Sequence, residues 1–116
     1  MGKLTTHVLD TAGGKPGNNI SVELYRIGAT RKLIKRSLTN SDGRTNEAML
    51  EGESFETGVW ELVFDVGNYY RNFRDGPTDK PAFLEEVVIR FSLTADEHFH
   101  VPLLVSPFGY STYRGS

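Results

Sequence analysis

Cysteine is absent from this chain. Disulfide scaffolds, cysteine-ligated zinc, iron–sulfur clusters and thiol catalysis are therefore excluded. Long apolar runs are absent too. The longest, Val101–Val105, is interrupted by Pro102, whereas a membrane-spanning helix needs ~20 apolar residues. The opening MGKLTTHVLD has no apolar stretch of the secretory kind, so no signal is expected and the cytoplasm is the expected compartment. The closing YRGS is not a peroxisomal address. Nor is there an excess of one charge. Thirteen Lys and Arg stand against fifteen Asp and Glu, for a net charge of −2, which disfavours a nucleic-acid partner. No repeat, low-complexity tract or linker breaks the chain.

What remains is ordinary in amount: 116 residues, 38% hydrophobic and 24% charged. A single domain over residues 1–116 is expected. By size scaling it should expose about 6,300 Å² when folded, against about 19,000 Å² extended. That is enough burial for one modest core.

The dominant hydrophobic period is two. Ile20–Ile27, Val59–Val66, Val87–Leu93 and Phe99–Val105 each alternate an apolar face with another face and read as strands. Leu4–Asp10, Arg31–Leu38, a short piece near Arg44–Asn46 and Tyr110–Arg114 are weaker strand candidates. Gly13-Gly14-Lys15-Pro16, Asn18-Asn19, Ser41-Asp42-Gly43 and Ser106-Pro107-Phe108-Gly109 supply turns. One short helix fits around Asn68–Phe73, followed by a loop at Gly76-Pro77 and Lys80-Pro81. Short strands without alternating helices predict an antiparallel sandwich.

Two strands carry an odd second face. If Phe99, Val101, Leu103 and Val105 point to the core, then His98, His100, Pro102 and Leu104 point away. Likewise Leu4, Thr6 and Val8 oppose Thr5, His7 and Leu9. A solvated face normally carries Lys, Glu, Thr or Ser. A mixed apolar and histidine face suits a contact with another subunit or the wall of a groove, with ordinary surface as the plain alternative. Pro102 has no N–H to give a ladder.

The only histidines are His7, His98 and His100. Each is a candidate for acid–base work near neutral pH and each could equally be plain surface. His-x-His with a third histidine could ligate zinc, but no acidic cluster completes the set. The GKPG segment lacks the full phosphate-loop pattern and reads as a turn. Arg44 follows a tight turn, where a guanidinium could hold an anion. The terminal Tyr113-Arg114-Gly115-Ser116 could supply a phenol, a guanidinium, a close-approach backbone and a hydroxyl, or could simply end a strand.

Three blocks carry a resemblance: LTTHVLDTAGGKPG at Leu4–Gly17, SDGR at Ser41–Arg44, and HFHVPLLVSPFGYSTYRGS at His98–Ser116. Together they cover about a third of the chain. They resemble the transthyretin family, and within it the 5-hydroxyisourate hydrolase branch, of which a closing YRGS is the mark. Gly17 departs slightly, since the family often has Ala there. The resemblance implies an all-β, transthyretin-like, eight-stranded antiparallel β-sandwich, assembled as a homotetramer (a dimer of dimers) with active sites in the channel between dimers. It implies hydrolysis of the N1–C6 amide bond of 5-hydroxyisourate, giving 2-oxo-4-hydroxy-4-carboxy-5-ureidoimidazoline, the step after urate oxidation. No metal or organic cofactor is implied.

Carried over by position, the site residues are His7, Arg44, His100, Tyr113, Arg114, Gly115 and Ser116. His98 is not the family's catalytic histidine and stands as a supporting candidate. On this reading His7 and His100 act as acid and base, and Arg44 orients substrate and stabilises charge. Ser116 and the Gly115 backbone bind the ring, and Tyr113 and Arg114 position the terminus or the substrate. No Ser-His-acid arrangement supports nucleophilic attack by Ser116. The rival readings are a transthyretin-type carrier of a small hydrophobic ligand, a non-catalytic sandwich module, and a histidine metal site.

Overall fold

A computed structural model of the chain describes residues 1–74, 76 and 78–115. Pro77, half of an expected loop pair, and Ser116 lie outside the described residues. Among the described residues nine strands form two sheets. The strands are β1 (Lys3–Asp10), β2 (Lys15–Pro16), β3 (Ser21–Ile27), β4 (Arg31–Leu38), β5 (Leu50–Glu51), β6 (Gly58–Phe64), β7 (Val87–Leu93), β8 (His98–Ser106) and β9 (Gly109–Thr112). One sheet has the order β2-β1-β8-β9, with β5 also paired to β1, and the other has the order β4-β3-β6-β7. A short helix, α1 (Val66–Asn68), runs on as a π-helical segment over Tyr69–Arg74. It covers the helix expected around Asn68–Phe73.

The period-two reading sets the core. Burial alternates without a break along β1, with Leu4, Thr6, Val8 and Asp10 inside. Val22 and Leu24 from β3, Trp60, Leu62 and Phe64 from β6, and Leu103 and Val105 from β8 fill the space between the sheets. The exposed surface is 6423 Å², close to the size expectation. No helix among the described residues is long and apolar enough to cross a membrane.

Three features depart from expectation. The pairing is not wholly antiparallel, because β1 and β8 run parallel over eight residues, from Lys3↔His98 to Asp10↔Val105. The long connection between them permits this, whereas a tight hairpin would not. The short strand near Arg44–Asn46 is reduced to isolated bridges, His7↔Arg44 and Thr39↔Thr45, and the paired dipeptide lies further on at β5. Finally, β6 buries both faces. Glu61, on the face away from the core, is only 5% exposed. Arg31 reaches it from β4, across β3, at 2.9 Å and Arg90 from the adjacent β7 at 2.8 Å, and their stems shield what they neutralise.

Asp10 ends β1 inside the molecule. It accepts hydrogen bonds from the Tyr69 hydroxyl (2.8 Å), the Tyr70 hydroxyl (3.0 Å) and the Gly13 N–H (2.9 Å), and pairs with Arg74 at 3.3 Å. Burial pushes its carboxyl toward the neutral form. The Gly13 N–H, the two phenols and the arginine outweigh that and hold its pKa below the usual carboxylate range. This cluster pins the helical segment to the end of β1, in the sheet that carries the histidines.

Candidate active site

The parallel pairing of β1 and β8 sets Thr5 beside His100 and His7 beside Pro102. Side chains alternate across a sheet, so Thr5, His7, His98 and His100 share its outer face. The His7 and His100 rings lie 6.4 Å apart between centroids, and His98 and His100 lie 6.5 Å apart. Thr5 Oγ1 is hydrogen-bonded to both His98 Nε2 and His100 Nδ1, each at 2.8 Å.

Arg44 reaches this face through its turn. The Asn40 side-chain oxygen accepts from the N–H groups of Asp42 (2.9 Å) and Arg44 (3.3 Å), a local bond that asparagine makes readily in turns. Gly43 takes φ +75°, and a Cβ there would lie 2.3 Å from the Val8 carbonyl oxygen. Only glycine lets the turn lie this close to β1. The result is the bridge between His7 and Arg44, together with a 2.9 Å bond from His7 Nε2 to the Asp42 carbonyl. A carbonyl only accepts, so Nε2 carries the proton and neutral His7 keeps its lone pair on Nδ1. A cleft of about 350 Å³ opens among Thr5, Arg44, Thr45, Glu47, His98 and His100.

Both central imidazoles are held toward the neutral form. For His7 the causes are burial and then the Arg44 guanidinium, which outweigh the Asp42 carbonyl and charge. For His100 they are burial, Arg44, His7 and His98 in turn. Two imidazoles able to accept protons at neutral pH thus stand beside a fixed cation. Among the described residues no three His, Asp or Glu side chains are grouped to hold a metal ion.

The C-terminal segment is tied to the same strand. β9 pairs with β8 from Ser106↔Gly109 to Leu103↔Thr112. The ladder then lapses opposite Pro102, which has no N–H, and resumes in the same register at His100↔Gly115. Thr112 Oγ1 donates to the Pro102 carbonyl at 2.7 Å across the gap. The Gly115 N–H donates to the His100 carbonyl at 2.6 Å. A Cβ on Gly115 would lie 2.8 Å from His100 Cδ2, so the ring packs against bare backbone.

The expected site residues therefore do not all converge. His7, Arg44, His100 and Gly115 come together. Arg114 does not join them: its guanidinium lies 4.0 Å from the Phe99 ring centroid and donates to Glu97 at 2.6 Å and to the His98 carbonyl at 3.4 Å. With Tyr113 it lines a separate cleft against Phe91 and Phe99. The cause is alternation, since the register that sets Gly115 against His100 turns Arg114 toward the opposite face. Lys15-Pro16 forms β2, which pairs back onto β1 as a turn would require. Thr5, Thr45 and Glu47 were not anticipated. Thr5 had one available signal: it lies two residues before His7 on a period-two strand.

The whole chain is recognisable beside known proteins. The HIUase/Transthyretin family model matches residues 4–115. A Pseudomonas aeruginosa protein named 5-hydroxyisourate hydrolase is 56% identical over all of this chain and 93% of its own length. A solved (S)-allantoin synthase is 39% identical with a TM-score of 0.90, covering 99% of this chain, although this chain spans only 44% of that larger one. A solved Klebsiella pneumoniae 5-hydroxyisourate hydrolase is 31% identical with a TM-score of 0.80, covering all of this chain and 94% of that one. With this match along its length, and with a sandwich of the same shape, the chain belongs to the HIUase/transthyretin family.

Proposed function

We propose that the chain hydrolyses 5-hydroxyisourate to 2-oxo-4-hydroxy-4-carboxy-5-ureidoimidazoline. The observation that carries this reading is the pairing of two imidazoles, both biased to the neutral form, with Arg44 on one sheet face. Opening the N1–C6 amide of a planar acidic ring needs a proton taken from water and a proton delivered to the leaving nitrogen. His7 and His100 share these transfers. Arg44 binds the acidic heterocycle and stabilises the oxyanion that develops on the attacked carbonyl. The Gly115 backbone and Ser116 hold the ring, and Tyr113 and Arg114 position the terminus. No cofactor enters the chemistry. Relatives of matching length in Pseudomonas aeruginosa and Klebsiella pneumoniae carry the hydrolase name.

The working form is a homotetramer, a dimer of dimers, whose channel brings His7 and His100 against a partner's face. Half-buried Leu9 and Leu104 on the same face support that contact. A hydrophobic-ligand carrier is the weaker reading, because two imidazoles and a guanidinium suit a polar substrate.

The test uses 5-hydroxyisourate made fresh from urate by a urate oxidase. Its ultraviolet decay is followed against the spontaneous rate, with His100→Ala and a chelator in parallel. Decay that is accelerated, indifferent to chelator and lost in the variant supports the hydrolase. Decay at the spontaneous rate by folded protein sinks it and moves attention to ligand binding.

A further inference from the structure

His98 is the one histidine that the proposed chemistry leaves unused, yet it is wired to one that the chemistry does use. Thr5 Oγ1 stands 2.8 Å from His98 Nε2 and 2.8 Å from His100 Nδ1. A hydroxyl carries one proton and accepts through its lone pairs. Between two imidazole nitrogens it can donate to only one, and it then accepts from the other. If both rings presented lone pairs, one would face the hydroxyl oxygen unbonded. If both presented N–H groups, the hydroxyl would accept from both and turn its own proton away from the bridge. A lone pair at one nitrogen of this bridge thus requires an N–H at the other.

Arg44 selects between the two arrangements. With His100 Nδ1 engaged by Thr5, Nε2 is the nitrogen left to the cleft, and it makes no hydrogen bond among the described residues. A guanidinium in the same cleft favours a lone pair there over an N–H. His98 closes the chain at its exposed end, where its Nδ1 can donate to water. The groups around it are otherwise engaged. Lys3, beside it on β1, pairs with Glu51, and Glu97 pairs with Arg114.

We infer that Thr5 and His98 are positioning residues for His100: the Thr5 hydroxyl accepts from His100 Nδ1–H and donates to His98 Nε2, which leaves the His100 Nε2 lone pair facing the cleft as the proton acceptor. A catalytic imidazole commonly has its tautomer fixed by a carbonyl or a carboxylate. Here a hydroxyl and a second imidazole do that work. The kinetic consequence rests on the hydrolase reading, whereas the tautomers can be read without it.

The deciding experiment is a long-range proton–nitrogen correlation spectrum of the full-length, histidine-labelled protein at neutral pH. His100 should show a pyrrole-like Nδ1 and a pyridine-like Nε2, and His98 the reverse. Thr5→Val and His98→Ala should return His100 to a mixture of tautomers, and Thr5→Ser should restore the wild-type pattern. In the substrate assay, Thr5→Val should lower kcat by about ten- to a hundredfold, part of the 10²–10⁴ that a positioned acid–base group contributes, with KM little changed and Thr5→Ser rescuing it. A pyridine-like Nδ1 on His100 in the wild type overturns the inference, as does a His100 spectrum indifferent to both Thr5→Val and His98→Ala. Should the wild type prove inactive, the hydrolase reading fails by itself and the spectra still decide the tautomer coupling.

Discussion

The backbone N–H of Gly115 donates to the His100 carbonyl at 2.6 Å, and the His100 ring fills the space that a side chain on Gly115 would need. The C-terminal segment is thus a wall of the site as well as the end of a sheet. Gly115→Ala places a methyl 2.8 Å from His100 Cδ2, so either the ring or the terminus moves. Displacements of this size at a reacting group cost up to about a hundredfold. The expected result is a kcat lowered ten- to a hundredfold with a melting temperature near that of the wild type, from steady-state kinetics and a thermal scan.

His100→Ala removes one of the two imidazoles proposed for proton transfer from the half-buried outer face and leaves the core untouched. We expect kcat to fall by about 10²–10⁴-fold with the strand signature in circular dichroism unchanged. Retention of full activity would take His100 out of the mechanism.

The pH profile has a definite sign. Burial and the Arg44 charge both lower the pKa of His7 and of His100. Their neutral, proton-accepting forms therefore persist below the ordinary histidine value of about 6.5. The acid limb of kcat/KM should lie below that value. Arg44→Gln removes a cause common to both imidazoles, so the limb should move up in pH while the maximum drops. An acid limb that stays in place in this variant would show that the cation does not tune the pair.

Asp10 makes a prediction about stability. It is 1% exposed and bonded to Tyr69, Tyr70, the Gly13 N–H and Arg74. Breaking a buried pair on one side costs about 3–5 kcal/mol, and Asp10→Asn should lower the unfolding free energy by that order, seen as a lower denaturant midpoint. The pKa of Asp10 is depressed in the folded protein. Its contribution is therefore complete above the unfolded value of about 3.9 and is lost as pH falls through the folded value. The acid-induced loss of stability should be shallower in the Asp10→Asn variant, as read from denaturation midpoints between pH 5 and pH 2.

Much of this could be read along the chain because period two is a local signal. Val87–Leu93 and Arg31–Leu38 match their strands end for end, and the outward placement of His7 and His100 follows from alternation alone. What escaped depends on partners remote in sequence. Nothing near Lys3 or His98 announces that the two strands run parallel. Glu61 reads as a solvent-facing residue until Arg31 and Arg90 close over it. The strand expected at Arg44 gives way to a turn because Gly43 must approach the Val8 carbonyl. Motif alone groups Arg114 with its neighbours, whereas the register across Pro102 turns it to the other side.

The parallel contact between β1 and β8 also has a temporal meaning. Thr5 and His100 are 95 residues apart along the chain, and so large a loop must close before their bonds repay its entropy. Neither half of the chain alone contains the imidazole pair. Turnover during refolding should therefore return together with the last cooperative phase, making catalysis itself a reporter of the completed fold.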